Sequence, residues 1–295
     1  MRWTPGDPNP DVEDDRGQTG GGGGGGGFRI GGGHIGIGGF IVLLLLSFIF
    51  KRNFFSLLGG GGAPSGGQAP ISGPQNASPG NDQKSQFVGA VLRDVQNFWD
   101  QEFARDHQRY RHATLALFTD RVRSGCGFAE TAMGPFYCPV DEKAYIDLGF
   151  YQELKDRFGA PGEFAQAYVL AHEIGHHVQK LLGISDKVSA AQERNPSQAN
   201  ALSVKLELQA DCFAGVWAHS VKQRSTADSP IAIDENDVES ALTAAAAVGD
   251  DRIQKQATGS VNPETWTHGS SKQRVQWFRT GMDSGDINRC DTFAR

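Results

Sequence analysis

The spacing of apolar residues predicts a largely helical region in the later part of the chain. From Gln86 onward, apolar side chains recur every three or four residues, as they do on one face of a helix. The same stripe runs through residues 164–182 and is followed by Gly183, a residue type that often ends helices. Three more stretches share this pattern and begin at Asn195-Pro196, at residue 235 (running to 256) and at Ser271.

Short strands are predicted between the first two of these helices. The stretch YRHATLALFTD reads as one strand, and GPFYCPVDEKAYIDLGF reads as two strands around a turn at residues 139–142. A short helix over 150–158 is expected next. The predicted fold class is therefore α+β, with a small mixed sheet packed on the helix of residues 164–182 and on the further helices.

The first part of the chain has a different composition. Residues 1–33 combine an acidic stretch with a run of glycine, and they are predicted to form a disordered tail. Residues 53–85 are rich in glycine, proline and serine and are predicted to be a linker. Between them, residues 34–52 contain an uncharged apolar run, for which we expect one transmembrane helix. A buried helix of a soluble core is the alternative, and the glycines within the run disfavour it. The folded domain is expected over 86–295.

Charge and cysteine content narrow the class of protein. The net charge of -6 offers no general basic surface, which argues against a nucleic-acid partner. The cysteines are Cys126, Cys138, Cys212 and Cys290, and none forms a CxxC pair. Such a set is typical of two disulfides in an oxidising compartment, with Cys126–Cys138 and Cys212–Cys290 as candidate bridges. Four buried thiols in a cytosolic protein are the alternative. Since basic residues flank the apolar run on both sides, the cysteines alone favour a C-terminal domain outside the cytosol.

The clearest chemical signal is the stretch HEIGH, which runs from His172 to His176 and matches the pattern H-E-x-x-H. Residues four apart lie on one face of a helix, so both histidines can bind one zinc ion. Glu173 lies beside them and can act as a general base toward a zinc-activated water. A helix with surface histidines is the alternative, but these polar groups interrupt an apolar stripe and would be costly to bury without a ligand. His177 points away from this face, and we expect it to be structural or solvent-facing.

A catalytic zinc site needs a third protein ligand. In the stretch LELQAD on the next helix, Glu207 and Asp211 are four residues apart and share one face. We predict that Glu207 binds the metal and that Asp211 accepts the spare ring N–H of a ligand histidine, with His172 as the first choice. A solvated acidic pair is the alternative. The helix is apolar nearly all round, so we expect these carboxylates to be buried.

Two further features are candidates for contacting the transition state and the substrate. His268 lies in a Gly/Ser-rich loop and is the candidate donor to the oxyanion formed in hydrolysis, with Arg274 as a candidate for orienting it. A loop-capping role for His268 is the alternative, and His219 is a weaker candidate donor. The strand at residues 136–138 is expected to form the sheet edge that pairs with an extended peptide substrate.

The motifs resemble those of a known family. HEIGHH, followed on the next helix by ELQADCFAGVWA, resembles a bacterial family of neutral zinc metallopeptidases of gluzincin type. GPFYCPVDEKAYIDLGF, THGSSKQRVQWFRTG and the order of polar tail, glycine run and apolar segment resemble the same family. The resemblance implies a zincin-like fold and one Zn²⁺ per chain, bound by His172, His176 and Glu207 with Glu173 as general base. It also implies a peptide or protein substrate and a place in the bacterial inner membrane.

We therefore expect a single-pass, membrane-anchored zinc metallopeptidase, most simply an endopeptidase, with its C-terminal domain outside the cytoplasm. The alternative is a zinc-binding module without proteolytic activity that acts as an adaptor or assembly factor. The presence of Glu173 counts against that alternative, because a structural zinc site needs no base.

Overall fold

The computed structural model describes residues 1–16 and 82–294 of the 295-residue chain. The transmembrane helix predicted over 34–52 lies outside the described residues, as does nearly all of the linker predicted over 53–85. Within the two described ranges, no helix is both long enough and apolar enough to cross a membrane.

Helices dominate the described part of the chain. The α-helices are α1 (Gln83–Arg105), α2 (Gly149–Asp156), α3 (Glu163–Leu181), α4 (Ile184–Arg194), α5 (Ala199–Gln223), α6 (Glu235–Ala247), α7 (Asp250–Thr258) and α8 (Ser271–Ser284). The strands are β1 (Arg2–Trp3), β2 (Val12–Asp14), β3 (Thr114–Phe118), β4 (Arg121–Ser124), β5 (Gly127–Glu130), β6 (Phe136–Cys138), β7 (Lys143–Asp147) and β8 (Ile231–Ala232). This content confirms the predicted α+β class.

A four-stranded mixed sheet with strand order β2-β3-β7-β6 forms one layer. Strands β2, β3 and β7 are parallel, and β6 pairs antiparallel with β7 at one edge. The central strands β3 and β7 are buried along almost their whole length, as expected for parallel strands covered on both faces. Helix α3 contacts β6 and β7, so the predicted packing of a small mixed sheet on this helix is confirmed. The arrangement is consistent with a zincin-like domain.

Residues 1–16 belong to the folded domain, which corrects the prediction of a disordered tail over this part of residues 1–33. Strand β1 pairs antiparallel with β8, and β2 pairs parallel with β3. The Trp3 indole N–H donates to the Glu163 carboxylate at the start of α3. Because strands of two and three residues carry almost no periodic signal, the acidic composition dominated the prediction.

Helices α3, α5 and α8 form the core that positions the site. A Cβ atom on Gly175 of α3 would lie 3.1 Å from backbone atoms of Ala210, so the glycine allows α3 and α5 to approach closely. A Cβ atom on Gly281 of α8 would lie 2.0 Å from the Cys212 carbonyl oxygen, which only a residue without a side chain permits. The backbones of the three helices are therefore in near contact.

The helix boundaries differ from prediction at two places. The helix predicted over 235–256 is two helices, α6 and α7, which meet at Gly249 because the chain there packs against the backbone of Ser271. The helix predicted from Asn195-Pro196 begins with a 3₁₀ turn at Pro196–Gln198, and α5 proper starts at Ala199 without a side-chain cap from Asn195. Helix α4 and the β4–β5 hairpin were not predicted.

Candidate metal centre

Three donor atoms converge between α3 and α5. The Nε2 atom of His172 lies 3.2 Å from one carboxylate oxygen of Glu207, and the Nε2 atom of His176 lies 3.5 Å from the other. The three ligand atoms all lie within 4.8 Å of one another. Helical spacing puts the two imidazoles on one face of α3, and the close approach of α5 at Gly175 brings the carboxylate opposite them. The predicted ligand set is thus brought together in space.

The ring of His172 is held from behind by a buried charged network. Its Nδ1 atom lies 2.9 Å from Asp211, as predicted. The Asp211 carboxylate also accepts a hydrogen bond from the Tyr168 hydroxyl at 2.6 Å and two from the Arg274 guanidinium at 2.8 and 2.9 Å. The sequence suggested Arg274 as a partner of His268; this was wrong, because Arg274 pairs with Asp211 instead.

This network sets the charge of its members. Burial raises the pKa of Asp211, but the positive charges of Arg274 and His172 outweigh it and hold the pKa below its ordinary value. Burial lowers the pKa of His172, but the Asp211 carboxylate outweighs it and raises the pKa to about 10. Burial likewise raises the pKa of Glu207, yet the facing histidines bring it far below its ordinary value. Glu207 is therefore an anion, as a metal ligand must be.

The ring of His176 is held by a neutral partner. Its Nδ1 atom lies 2.9 Å from the side-chain oxygen of Gln179, one turn further along α3. Both ligand histidines therefore have Nδ1 engaged with a protein acceptor, which leaves both Nε2 atoms directed at Glu207. Two imidazole nitrogens and one carboxylate oxygen form a donor set that zinc accepts in catalytic sites. Sequence reasoning missed Gln179, whose spacing of three residues from His176 was the available signal.

Glu173 lies on the same helix and lines the same cavity as the three ligands. Its side chain is buried, and this burial raises its carboxyl pKa despite the opposing charges of the two ligand histidines. A carboxyl group with a raised pKa is suited to accepting a proton and returning it near neutral pH.

His268 also lines this cavity, and an aspartate fixes its position. Asp250, at the start of α7, is 4% exposed and accepts hydrogen bonds from the backbone N–H groups of Thr267, His268 and Gly269. It also lies 3.3 Å from the His268 Nδ1 atom. Burial lowers the pKa of His268, but Asp250 outweighs it and raises the pKa. The sequence did not identify Asp250, which lies 18 residues away along the chain.

Two other histidines do not belong to the centre. His177 is fully buried: its Nε2 donates to the Arg111 carbonyl oxygen at 2.6 Å, and its Nδ1 accepts from the Tyr137 hydroxyl at 2.9 Å. Of the two roles expected for it, the structural one holds and the solvent-facing one is wrong. His219 lies elsewhere, with its Nδ1 2.7 Å from the Met282 carbonyl oxygen.

A cavity of about 780 Å³ opens onto the donor atoms and Glu173. One wall is formed by the edge strand β6 and the residues just before it, from Gly134 to Tyr137. Strand β6 pairs with β7 on one side, and among the described residues no strand pairs with it on the other. The predicted location of a sheet edge beside the site is therefore confirmed.

Both predicted cysteine pairs are at disulfide distance in the structure. Cys126–Cys138 joins the β4–β5 hairpin to β6, and Cys212–Cys290 joins α5 to the 3₁₀ segment Ile287–Cys290 that follows α8. The first bridge supports the wall of the cavity, and the second lies one residue from Asp211.

Comparison with known proteins shows what the chain is similar to. A family model described as "Putative neutral zinc metallopeptidase" matches residues 1–293. "Uncharacterized protein YpfJ" of Escherichia coli (strain K12) is 48% identical over 231 residues, which is 77% of this chain and 78% of that protein. "Uncharacterized protein Rv2575" of Mycobacterium tuberculosis (strain ATCC 25618 / H37Rv) is 52% identical over 190 residues, 63% of this chain and 64% of that protein. No solved structure matches.

Proposed function

The chain belongs to the family of neutral zinc metallopeptidases, and from this premise we propose that it is a zinc-dependent peptidase with a zincin-like fold. The observation that carries the proposal is the convergence of His172, His176 and Glu207 in a cavity that also contains Glu173. When bound by these three residues, zinc supplies a Lewis acid that polarises a carbonyl oxygen and makes water nucleophilic near neutral pH.

Glu173 is the proposed proton carrier. Its carboxylate takes a proton from the attacking water and returns it to the amine that leaves when the peptide bond breaks. The raised pKa that follows from its burial suits both steps, because a stronger base accepts the first proton more readily and still releases it to an amine. General acid–base catalysis of this kind contributes about 10²–10⁴-fold to the rate.

His268 is the proposed donor to the oxyanion of the tetrahedral intermediate. Asp250 holds the backbone and ring of this residue and raises the pKa of the imidazole, which favours a protonated ring that can donate. The His268 side chain lines the cavity, so a substrate bound there can reach it.

The substrate is proposed to bind as an extended peptide along β6. The free edge of a strand offers main-chain N–H and C=O groups that pair with another extended chain. A chain that pairs along this edge can extend in both directions from the donor atoms, and so we propose cleavage within a chain, that is, endopeptidase activity.

Placement outside the cytoplasm is a further part of the proposal. Two disulfides are rare in reducing compartments and common in extracytoplasmic proteins. Attachment to the bacterial inner membrane through residues 34–52 remains a prediction from the apolar run, which lies outside the described residues.

The test combines metal analysis with digestion of a peptide library. Purified protein is expected to hold one zinc per chain, and replacement of His176 or Glu207 by alanine is expected to abolish this binding. The wild type should cleave peptides from a proteome-derived library, lose this activity to a chelator and regain it when zinc is added back. One bound zinc without any cleavage would overturn the peptidase proposal. A Glu173→Gln variant that keeps zinc and in vivo function would favour the adaptor alternative.

A further inference from the structure

A chain of buried amide groups leads away from the second histidine ligand. The side-chain oxygen of Gln179 faces His176, and the side-chain nitrogen of Gln179 donates to the Leu206 carbonyl oxygen at 2.7 Å and to the side-chain oxygen of Gln209 at 3.1 Å. The side-chain nitrogen of Gln209 donates in turn to the Cys290 carbonyl oxygen at 3.0 Å. Gln179 is fully buried and Gln209 is 5% exposed, so water does not compete for these bonds.

The two ends of this chain fix its direction. The carbonyl oxygens of Leu206 and Cys290 can only accept hydrogen bonds, and so both side-chain nitrogens must face them. A reversed Gln179 amide would place its oxygen against the Leu206 carbonyl oxygen, so that two acceptors would face each other in a buried site without a hydrogen between them. The oxygen of Gln179 therefore faces His176, and the Nδ1 atom of His176 must carry the proton.

We propose that Gln179 and Gln209 are positioning residues for His176, holding its imidazole in the tautomer whose Nε2 lone pair faces Glu207. The inference rests on the zinc site proposed above. The two ligand histidines have different hydrogen-bond partners: His172 contacts the charged pair Asp211–Arg274, and His176 contacts neutral amide groups. The neutral amide groups orient the ring without adding a second buried charge beside the metal.

This series of hydrogen-bonded amides also connects His176 to the C-terminal end of the domain. Its last acceptor is the carbonyl group of Cys290, and the bond from Cys290 to Cys212 ties this carbonyl to α5. Without the disulfide, the Cys290 carbonyl group is no longer held against Gln209. Loss of the disulfide should therefore weaken zinc binding, as replacement of Gln209 should.

The first test is the zinc affinity of methionine variants, which keep side-chain volume and lose the amide. Gln179→Met is expected to weaken zinc binding about 10–100-fold, the usual effect of losing a partner behind a ligand. Gln209→Met and the double replacement of Cys212 and Cys290 by serine should weaken it by smaller amounts. Gln96→Met is the matched control. Gln96 is also fully buried and hydrogen-bonded, but to the Ala113 backbone N–H and to Asp11, and so its loss should lower stability without changing zinc affinity.

The second test does not depend on activity or on the folding of a variant. NMR of the wild type labelled with ¹⁵N-histidine should show a slowly exchanging Nδ1–H proton on His176, with or without zinc. A proton on Nε2 instead would overturn the inference, as would Gln179→Met binding zinc within about twofold of the wild type. Wild-type protein that binds zinc and cleaves nothing would overturn the proposed peptidase but leave both of these readouts intact.

A separate observation concerns residues 1–16, which contact the domain at several points along their length. The Met1 ammonium group pairs with Asp237 at the start of α6, and the Asn9 amide donates to the Gly89 carbonyl oxygen of α1 at 2.9 Å. At the far end, the Arg16 guanidinium lies 2.6 Å from the Asp82 carboxylate. Arg16 and Asp82, which are 66 positions apart in the chain, are thus joined by an ion pair.

We infer that residues 1–16 and 82–294 lie on the same side of any membrane to which the chain is attached. The pairing of β1 with β8 and of β2 with β3 requires both parts to be in one compartment. A single crossing between them, as predicted for residues 34–52, would place the paired strands in different compartments.

Cysteine labelling in intact cells tests this inference. Asp7 and Asp228 are exposed, one in each part, and each is replaced singly by cysteine in the full chain, whose own cysteines are paired. In spheroplasts, a membrane-impermeant maleimide should give the same result for Asp7→Cys and Asp228→Cys. Labelling of both variants in spheroplasts supports the inference and also placement outside the cytoplasm. If neither variant is labelled until the cells are lysed, the result supports the inference but not placement outside the cytoplasm. Labelling of only one before lysis overturns it.

Discussion

Replacement of Arg274 by methionine tests the charged network behind His172. Arg274 and Asp211 have side chains 5% and 0% exposed, and two hydrogen bonds of 2.8 and 2.9 Å join them. Methionine has a similar length and no charge. The Arg274→Met variant would therefore leave the Asp211 carboxylate buried, with its hydrogen bonds from Tyr168 and His172 but without its permanent counter-ion.

The expected loss in the free energy of unfolding follows from the burial of this ion pair, and a more exposed ion pair in the same protein provides a comparison. Removing one partner of a buried ion pair costs about 3–5 kcal/mol, because the other charge stays desolvated. Arg224 and Asp94 form a similar two-bond pair at 2.8 and 2.6 Å, but the Arg224 side chain is 40% exposed. Exposed pairs contribute about 0–1 kcal/mol. Arg274→Met should thus lower the free energy of unfolding by at least about 2 kcal/mol more than Arg224→Met does.

The assay is urea unfolding of the metal-free protein, followed by circular dichroism, for the wild type and both variants. Adding Asp211→Asn to Arg274→Met should recover part of the lost stability, because no carboxylate then remains buried without the guanidinium. Equal losses for the two arginine variants, or no recovery in the double variant, would refute the reasoning.

The pH dependence of this loss has a definite sign. Burial raises the pKa of Asp211, but Arg274 and His172 bring it below its ordinary value of 3.8. A lowered carboxyl pKa contributes stability that is complete above the unfolded pKa and is lost as the pH falls through the folded pKa. The stability difference between the wild type and Arg274→Met should narrow below about pH 4. A difference that widens with acid would contradict this assignment.

Three more predictions concern other parts of the domain. His268→Ala should lower kcat about 10²–10³-fold with unchanged zinc content, and a loss under about threefold in peptide turnover would exclude the oxyanion role. Gly175→Ala places a Cβ atom 3.1 Å from the backbone of α5 and should cost about 1–3 kcal/mol in chemical unfolding, whereas unchanged stability would contradict the close helix contact. Burial lowers the pKa of His112, but hydrogen bonds to Asp100 and Asp11 outweigh it and raise the pKa. The stabilisation of the fold by protonated His112 should be complete below about pH 6.5 and should be lost as the pH rises through the raised pKa. A His112→Asn variant whose stability depends on pH in the same way as that of the wild type would contradict this.

The sequence predicted the donor residues because helical spacing alone puts them on shared faces. His172 and His176 are four apart on α3, and Glu207 and Asp211 are four apart on α5. Only the packing of these two helices against each other had to be assumed, and Gly175 allows the close approach that this packing requires. The pairing of Asp211 with His172 followed from the same spacing.

Apart from the contact of Gln179 with His176, three residues away, the contacts that the sequence missed span long separations in the chain. Arg274 meets Asp211 over 63 residues, and Gln209 meets Cys290 over 81. No local pattern reports such contacts, and a candidate partner chosen by nearness in sequence, such as His268 for Arg274, is then wrong. The strand pairings of residues 1–16 were missed for the related reason that very short strands are defined by their partners rather than by their own periodicity.

The most direct measurement is the rate of peptide hydrolysis by the wild type and by Glu173→Gln at equal zinc content. The substitution keeps the shape of the side chain and the three donor residues but removes the carboxylate that carries the proton. Both proteins are expected to hold one zinc per chain, with hydrolysis by Glu173→Gln reduced at least about 10²-fold. Equal rates in the two zinc-loaded proteins, or no hydrolysis by either, would contradict a zinc peptidase with Glu173 as its base.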